Sequence, residues 1–245
     1  MTRPHVTLNM ASSIDGKITT ASREALALGS IEDRRQMERL RAETDAIMVG
    51  SGTFRDEDPT LIVRDPQTVT RRVASGRRPQ PLKVLVTSDL DVDADNSRFF
   101  EGNAAQRLIL TTDAAPAERV AALEANSTVA IVTNGTEGRV NLRAAMEVLA
   151  GEGVSRLLLE GGGTLNFAML EAGLIDEVYL TLCPFIIGGS RAPTTFEGVG
   201  FDREGIRGLE LISMRTSEHG EIFFRYRVAD AVPDALARPK VKAAA

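Results

Sequence analysis

The residues Leu158-Leu159-Glu160-Gly161-Gly162-Gly163-Thr164-Leu165 decide how this chain is read. An apolar strand runs into three glycines and then into a segment with helical patterning. Three adjacent residues without side chains exceed what a helix-capping turn requires, so bare backbone at this junction is expected to meet a ligand. A helix N-terminus presents unpaired N–H groups and the positive end of the helix dipole, and its usual guest is an anion, most often a phosphate. The junction therefore points to a nucleotide or a phosphorylated cofactor. The competing reading is a plain capping turn.

Working outward, the chain alternates strands and helices. Strand-like runs lie at 6–11, 46–49, 82–87, 107–110, 129–132, 156–159 and 178–183, and many are continuous apolar runs that suit central strands covered on both faces. Ser30 is placed to cap a helix over 31–44, with Asp33 in the role of the capping-box acid and Met37, Leu40 and Thr44 facing inward. Pro116 opens a helix carrying Val120 and Leu123. Asn141 caps another with Leu142, Met146 and Leu149 at helical spacing and Gly151 as its stop. The segment 164–172 is apolar nearly all round and ends at Gly173. Beyond a Gly/Pro-rich loop at 184–200, the runs 208–216 and 221–228 form a hairpin turned at Ser217-Glu218-His219-Gly220. The pattern predicts one α/β domain over 1–229, its mostly parallel sheet carrying an antiparallel C-terminal hairpin at the edge, and a mobile Ala/Pro/Lys-rich tail at 230–245.

Composition removes several function classes. A net charge of −5, no Trp and 4% aromatic residues argue against a nucleic-acid or anionic-membrane surface. No apolar run approaches a membrane span, and Met1-Thr2-Arg3-Pro4-His5 leads directly into a strand with no apolar leader, so a cytoplasmic protein is expected. One cysteine, Cys183, and two distant histidines, His5 and His219, offer no metal constellation and no internal disulfide; Cys183 reads as a packed thiol. No GxSxG is present to suggest a serine hydrolase.

Four segments carry chemistry-bearing residues. Ser13-Ile14-Asp15-Gly16-Lys17 follows the first strand and reads either as a turn or as a lysine that orients substrate or relays a proton. Arg41, on the first helix, precedes a strand ending in Gly50-Ser51-Gly52-Thr53, where glycines again open backbone at a strand's C-terminal end. This is not the Rossmann fingerprint, because Arg55 stands where a third glycine belongs. Asp56-Glu57-Asp58-Pro59, with Arg64 beyond, is either a solvated turn or a crowded acidic site in which repulsion raises one pKa enough to make a proton donor. Glu160 closes an apolar strand beside the glycines. A basic run, Arg71, Arg72, Arg77 and Arg78, reads as a loop that either favours a 2′-phosphorylated cofactor or is simply solvated.

In order and spacing these segments resemble the reductase domain of riboflavin biosynthesis, the RibD C-terminal type, of the dihydrofolate-reductase-like superfamily. The matching motifs are S-I-D-G-K at 13–17, L-R-A at 40–42, D-A-I-M-V-G-S-G-T at 45–53, D-E-D-P-x-L-x-x-R at 56–64, V-T-S at 86–88 and L-L-L-E-G-G-G at 157–163, spread over the first 190 or so residues. The resemblance implies a three-layer α/β/α fold and NADPH-dependent reduction of a 5′-phosphoribosylamino-pyrimidine to its ribitylamino product. It implies that Gly50, Gly52, Thr53, Glu57, Ser88, Gly161, Gly162, Gly163, Thr164 and Leu165 form the cofactor site. Arg41, Arg64 and Glu160 would contact substrate, the arginines at its phosphate, while Lys17, Glu57 and Asp58 manage protons. A homodimer is implied as well. The chain departs from the family in Ala25-Leu26-Ala27-Leu28-Gly29, where an aromatic residue is common, and in Glu57, where an aspartate is common. Alternatives on the same fold are a dihydrofolate or dihydropterin reductase, or a non-catalytic nucleotide-binding paralogue.

Overall fold

Burial of the central strands on both faces sets the architecture. The structure, a computed structural model, describes residues 2–24, 26–101, 105–125, 127–132 and 138–229; the tail expected at 230–245 lies outside the described residues. Nine strands form one sheet: β1 (His5–Ser13), β2 (Ala46–Gly50), β3 (Leu82–Val86), β4 (Arg107–Thr111), β5 (Thr128–Ile131), β6 (Arg156–Leu159), β7 (Glu177–Cys183), β8 (Gly208–Thr216) and β9 (Ile222–Ala229). Their order is β5-β4-β3-β2-β6-β1-β7-β9-β8. Every pairing from β5 to β7 is parallel, and β9 and β8 add antiparallel at one edge.

Because neighbouring residues of a strand point to opposite faces, two separate cores form. Val6, Leu8, Ala46, Met48, Val84, Leu108, Leu157 and Leu159 join one cluster, with Met146, Leu149, Leu165 and Met169 from covering helices. Ile47, Val49, Leu85, Ile109 and Leu158 join the other, with Leu40, Phe54 and Leu123. The expected three layers and the C-terminal hairpin are both present. Cys183 is fully buried, and desolvation pushes its thiol pKa up to about 12, as befits a packed side chain.

Among the described residues six helices cover the sheet: α1 (Ile31–Glu43), α2 (Ser51–Glu57), α3 (Pro66–Ala74), α4 (Ala117–Glu124), α5 (Leu142–Gly151) and α6 (Gly163–Glu171). The patterning predicts four of them; it gives no helix over α2, and it reads the basic run that begins within α3 as a loop. α3 does have a capping signal, with the Asp65 carboxylate accepting from the N–H groups of Gln67 and Thr68 and Pro66 in the first turn. The arginine run obscured it. Arg72 from that run is buried, and its Nη1 donates to the carbonyl oxygens of Arg41, Ala42 and Thr44, closing the C-terminal end of α1.

The capping of α1 also differs from expectation. Ser30 Oγ accepts from the Glu32 N–H at 3.0 Å, but the acid that receives the Ser30 N–H is Glu221, at 2.6 Å, rather than Asp33. Glu221 is buried beside the hairpin turn and also accepts from the hydroxyls of Ser30 and Ser217. The inward face of α1 is Gln36, Leu40 and Arg41, two of them polar, with Met37 only half-buried. A long-range carboxylate has replaced a local one, and no short window of sequence reveals that.

Burial works against the Glu221 charge, but its hydrogen bonds from Ser30 and Ser217 hold the carboxyl below its ordinary value. A lowered folded pKa stabilises the protein above the ordinary glutamate range and loses that contribution as pH falls through the folded value. Glu221→Ala is expected to cost about 2 kcal/mol near neutral pH, by stranding the Ser30 N–H. In urea denaturation the gap between variant and wild type should close on acidification; a gap independent of pH would show that the carboxylate's charge is not what holds the helix.

Candidate active site

The glycine junction lies where β6 delivers the chain to α6, at the C-terminal ends of the parallel strands. Gly162 is the N-cap of α6, and no side chain caps that helix. Its amide end is thus open to a ligand. The glycines are not all there for that ligand, however. Gly161 has a φ of +95°, and a Cβ there would press on Met10 Sδ at 3.2 Å. A Cβ at Gly163 would lie 2.2 Å from the carbonyl oxygen of Thr194 and 2.8 Å from Glu197 Cγ. At Gly162 it would meet only Thr53 Oγ1, at 3.1 Å, and at Gly52 nothing within 4 Å. Two of the three glycines therefore answer the protein's own packing.

A cavity of about 430 Å³ opens beside this junction. It gathers Gly50, Gly52, Thr53 and Glu57 from the β2–α2 turn and helix, Ser88 beyond β3, and Gly162, Gly163, Thr164 and Leu165 from α6. Gly161 instead sits behind the wall, its carbonyl accepting from the Gly50 N–H at 2.9 Å. The sequence reading missed Ile18, Thr19, Arg55, Arg139, Leu142 and Pro193, which also line the cavity. Their contribution follows from tertiary closure. The one legible hint is the Gly/Pro-rich loop, which pairs back onto the S-I-D-G-K turn through a Lys17–Thr194 bridge.

The charged residues fall into separate environments. Arg41 and Glu160 form a bidentate pair, Nε to Oε1 at 2.8 Å and Nη2 to Oε2 at 2.7 Å, with side-chain exposures of only 5% and 10%. Desolvation opposes the Arg41 charge, yet the Glu160 carboxylate outweighs it and holds the guanidinium above its ordinary pKa. Glu57 faces the cavity, and its pKa is raised, first by desolvation in the cleft and then by the negative charges of Glu160 and Asp56. Asp58 is the opposite case. Burial opposes its charge, but the Ser97 hydroxyl and the N–H groups of Arg98 and Phe99 bind its carboxylate and lower its pKa. The expected proton-managing pair thus divides into one carboxyl that retains its proton more readily and one occupied in holding a turn.

Lys17 does not itself line the cavity, though its neighbour Ile18 does; its Nζ donates to the Ala192 carbonyl at 3.0 Å. The turn reading of its motif also holds: Gly16 has a φ of +77°, and the Asp15 carboxylate accepts from the Ile187 and Gly188 N–H groups. Arg64 lies outside the cavity, exposed, its Nη1 3.2 Å from Glu38 Oε1 and its Nη2 3.2 Å from Thr60 Oγ1. Of the two arginines expected at a phosphate, Arg41 is buried and bonded to Glu160, while Arg64 is exposed and bonded to Glu38, whose charge also acts on Arg41. Among the described residues no group of acidic, His and Cys side chains could hold a metal, and no helix is long and apolar enough to cross a membrane.

A mostly parallel sheet with an antiparallel C-terminal edge and a glycine-lined cleft at its strand ends is the α/β arrangement of the dihydrofolate-reductase-like class of reductases. The chain belongs to the RibD C-terminal domain family, whose model matches residues 4–223. It is 40% identical over 199 residues to the 2,5-diamino-6-ribosylamino-4(3H)-pyrimidinone 5′-phosphate reductase of Archaeoglobus fulgidus, covering 81% of this chain and 89% of that protein. The protein of the same description from Methanothermobacter thermautotrophicus is 41% identical, over 82% of this chain and 87% of its own. Among solved structures, a pyrimidine reductase-like protein from Corynebacterium diphtheriae superposes with a TM-score of 0.81 at 25% identity, covering 92% of each chain.

The glycine geometry yields a paired prediction. Gly163→Ala forces a methyl group into the Thr194 carbonyl and should destabilise the fold by about 3 kcal/mol or prevent soluble expression. Gly52→Ala, with open space around its Cβ, should leave the thermal midpoint unchanged or raise it, gaining about 0.5 kcal/mol of helix propensity. Differential scanning of both variants checks this; equal tolerance would show that the 163–194 contact is not structural.

Proposed function

We propose that this protein is an NADPH-dependent reductase that converts a 5′-phosphoribosylamino-pyrimidine to its ribitylamino product in riboflavin biosynthesis. The observation that carries the reading is the Arg41–Glu160–Glu57 arrangement beside the glycine-lined cavity. The similarity to two archaeal reductases over four-fifths of the chain supports the diamino-pyrimidinone as the substrate's base. A dihydropterin reductase is not favoured by these relatives, and the raised pKa of Glu57 would have no use in a non-catalytic paralogue.

The cavity suits a nicotinamide dinucleotide: the uncapped end of α6 offers amides to a diphosphate, and Val86, Val140, Leu142 and Leu165 offer apolar wall to its rings. When bound, the reduced nicotinamide supplies the hydride. Before C1′ of the substrate accepts it, the sugar ring must open. That step places a proton on the ring oxygen and removes one from the exocyclic nitrogen; reduction then returns a hydride to C1′ and a proton to the nitrogen. Glu57 is the assigned donor. Arg41 fixes the position of the Glu160 carboxylate, and the negative charge of Glu160 is one of the causes that raise the Glu57 pKa.

Arg41 accordingly acts by orienting Glu160 rather than by touching phosphate. Arg64 is the arginine assigned to the phosphate, since its exposed contact with Glu38 is weak and readily exchanged. Lys17, fixed by Ala192, is assigned to orienting the substrate at the cavity border. A free phosphorylated intermediate and a diffusible reduced coenzyme are intracellular species, so the proposed location is the cytoplasm. A homodimer is proposed through β8, an edge strand whose Leu209, Leu211, Ile212 and Met214 are exposed.

The assay is NADPH oxidation with the phosphoribosylamino-pyrimidine. Glu57→Gln should lower kcat by about 10²-fold while leaving NADPH affinity within about threefold. Wild-type kcat should fall as pH rises through the raised Glu57 pKa, and that limb should vanish in the variant; an unchanged profile excludes Glu57 as donor. Arg64→Ala should raise substrate KM about tenfold without altering NADPH binding, and equal losses for both ligands would remove its assigned role. For the dimer, light scattering should show a two-subunit wild type and a monomeric Leu211→Arg/Met214→Lys double variant. A monomeric wild type, or a variant that stays dimeric, overturns the β8 interface.

A further inference from the structure

The arginines expected to select a 2′-phosphorylated cofactor are in the wrong part of the molecule. Arg72 is buried against α1 carbonyls, Arg77 pairs with Asp45, Arg78 with Glu152 and Arg71 with Asp65. Asp45 directly precedes β2, so Arg77 gathers at the N-terminal ends of the strands, opposite the cavity.

Three other arginines line the cavity: Arg23, Arg55 and Arg139. Arg23 is engaged by Asp56 at 3.4 Å. Arg55 and Arg139 make no salt bridge among the described residues. Arg55 helps lower the pKa of Asp89, after the Thr87 and Asp91 hydrogen bonds to that carboxylate, so its charge lies toward the end of β3 where Ser88 stands. Arg139 leads into Val140, which packs in the same cluster as Val86 at the end of β3. Val86, Val140 and Leu142 supply the apolar wall there. The cavity therefore has two unlike ends. One, toward β1, is bordered by Ile18, Glu24 and Pro193; the other, toward β3, carries the Ser88 hydroxyl, an apolar wall, Arg139 and Arg55, whose charge reaches Asp89 without a salt bridge among the described residues.

Guanidinium groups held in no salt bridge at a cavity wall favour an anion, and a phosphate monoester offers oxygens to their planar forks. On the reading above, the reacting ring lies near Glu57. Arg55 is two residues away on the same helix and so points to a different side of it. A dinucleotide whose diphosphate meets α6 then extends its adenosine toward β3. We infer that Arg55 and Arg139, with the Ser88 hydroxyl, bind the phosphate monoester on the adenosine ribose and so select the 2′-phosphorylated nicotinamide nucleotide over the unphosphorylated one. This rests on the proposed cofactor reading, and the test separates the two.

Kd values for NADPH and NADH are measured by nucleotide fluorescence on the full-length chain, with wild type, Arg55→Ala, Arg139→Ala and the double variant. Adenosine 2′,5′-bisphosphate and adenosine 5′-monophosphate serve as competing probes. Each single variant should weaken NADPH about tenfold and leave NADH within about twofold, and the advantage of the bisphosphate over the monophosphate should fall in parallel. Retained NADH affinity reports that each variant is folded. Equal losses for NADPH and NADH, or no loss, overturn the inference. A wild type that binds the two coenzymes equally also overturns it, while leaving the reductase reading in place; a wild type that binds neither removes that reading too.

Discussion

The contact on which the site's shape depends is the approach of Gly163 to the carbonyl of Thr194, too close for any side chain. It lets the loop after β7 close on the first turn of α6. Two hydrogen bonds lock that closure: the Glu197 N–H to the Gly163 carbonyl at 3.0 Å, and Asn166 Nδ2 to the Thr195 carbonyl at 2.8 Å. Asn166 is fully buried, so this bond forms away from competing water. The same loop carries Ala192, which holds the Lys17 ammonium, and Pro193, which borders the cavity. One missing methyl group thus joins the first turn of α6 to the loop that holds the lysine.

Charge placement depends on a second contact. Burying Arg41 and Glu160 alone would be costly for either, and only the bidentate geometry makes the pair tolerable. Such a pair is weak evidence for stability. What it does provide is a fixed negative charge that acts on Glu57, an exposed residue of the cavity wall, and raises its pKa. Asp58, adjacent in sequence, is turned into a left-handed conformation with a φ of +42° and spends its carboxylate on the 97–99 turn. Two neighbouring acids thereby acquire opposite pKa shifts, and environment, not residue type, separates them.

The sheet was legible because each central strand is an apolar run with helices on both sides, a pattern that survives any detail of packing. Helices with a cap and an apolar stripe were legible for the same reason. α2 was not, since its residues, Ser51 through Glu57, carry one buried side chain, Phe54, and no capping side chain. For the site, most of the glycines singled out in the sequence line one cavity, but the reason for Gly161 and Gly163 was invisible because their partners, Met10 and Thr194, are distant in sequence. Likewise Arg41 looked like a free cation until Glu160, 119 residues away, was seen to saturate it.

Arginine is where a sequence reading misleads most readily, and the reason is physical. A guanidinium has five donors and is charged at any accessible pH, so its role is set by whichever acceptors the fold brings to it. Arg72 finds three carbonyls at a helix end, Arg41 finds a carboxylate, and Arg64 finds an exposed glutamate it can exchange. Density of arginines along the chain therefore says little about anion binding. The informative quantity is the arginine left without an acceptor at the wall of a cavity. By that criterion the run at 71–78 drops out, and Arg55 and Arg139, which line the cavity outside any salt bridge among the described residues, remain.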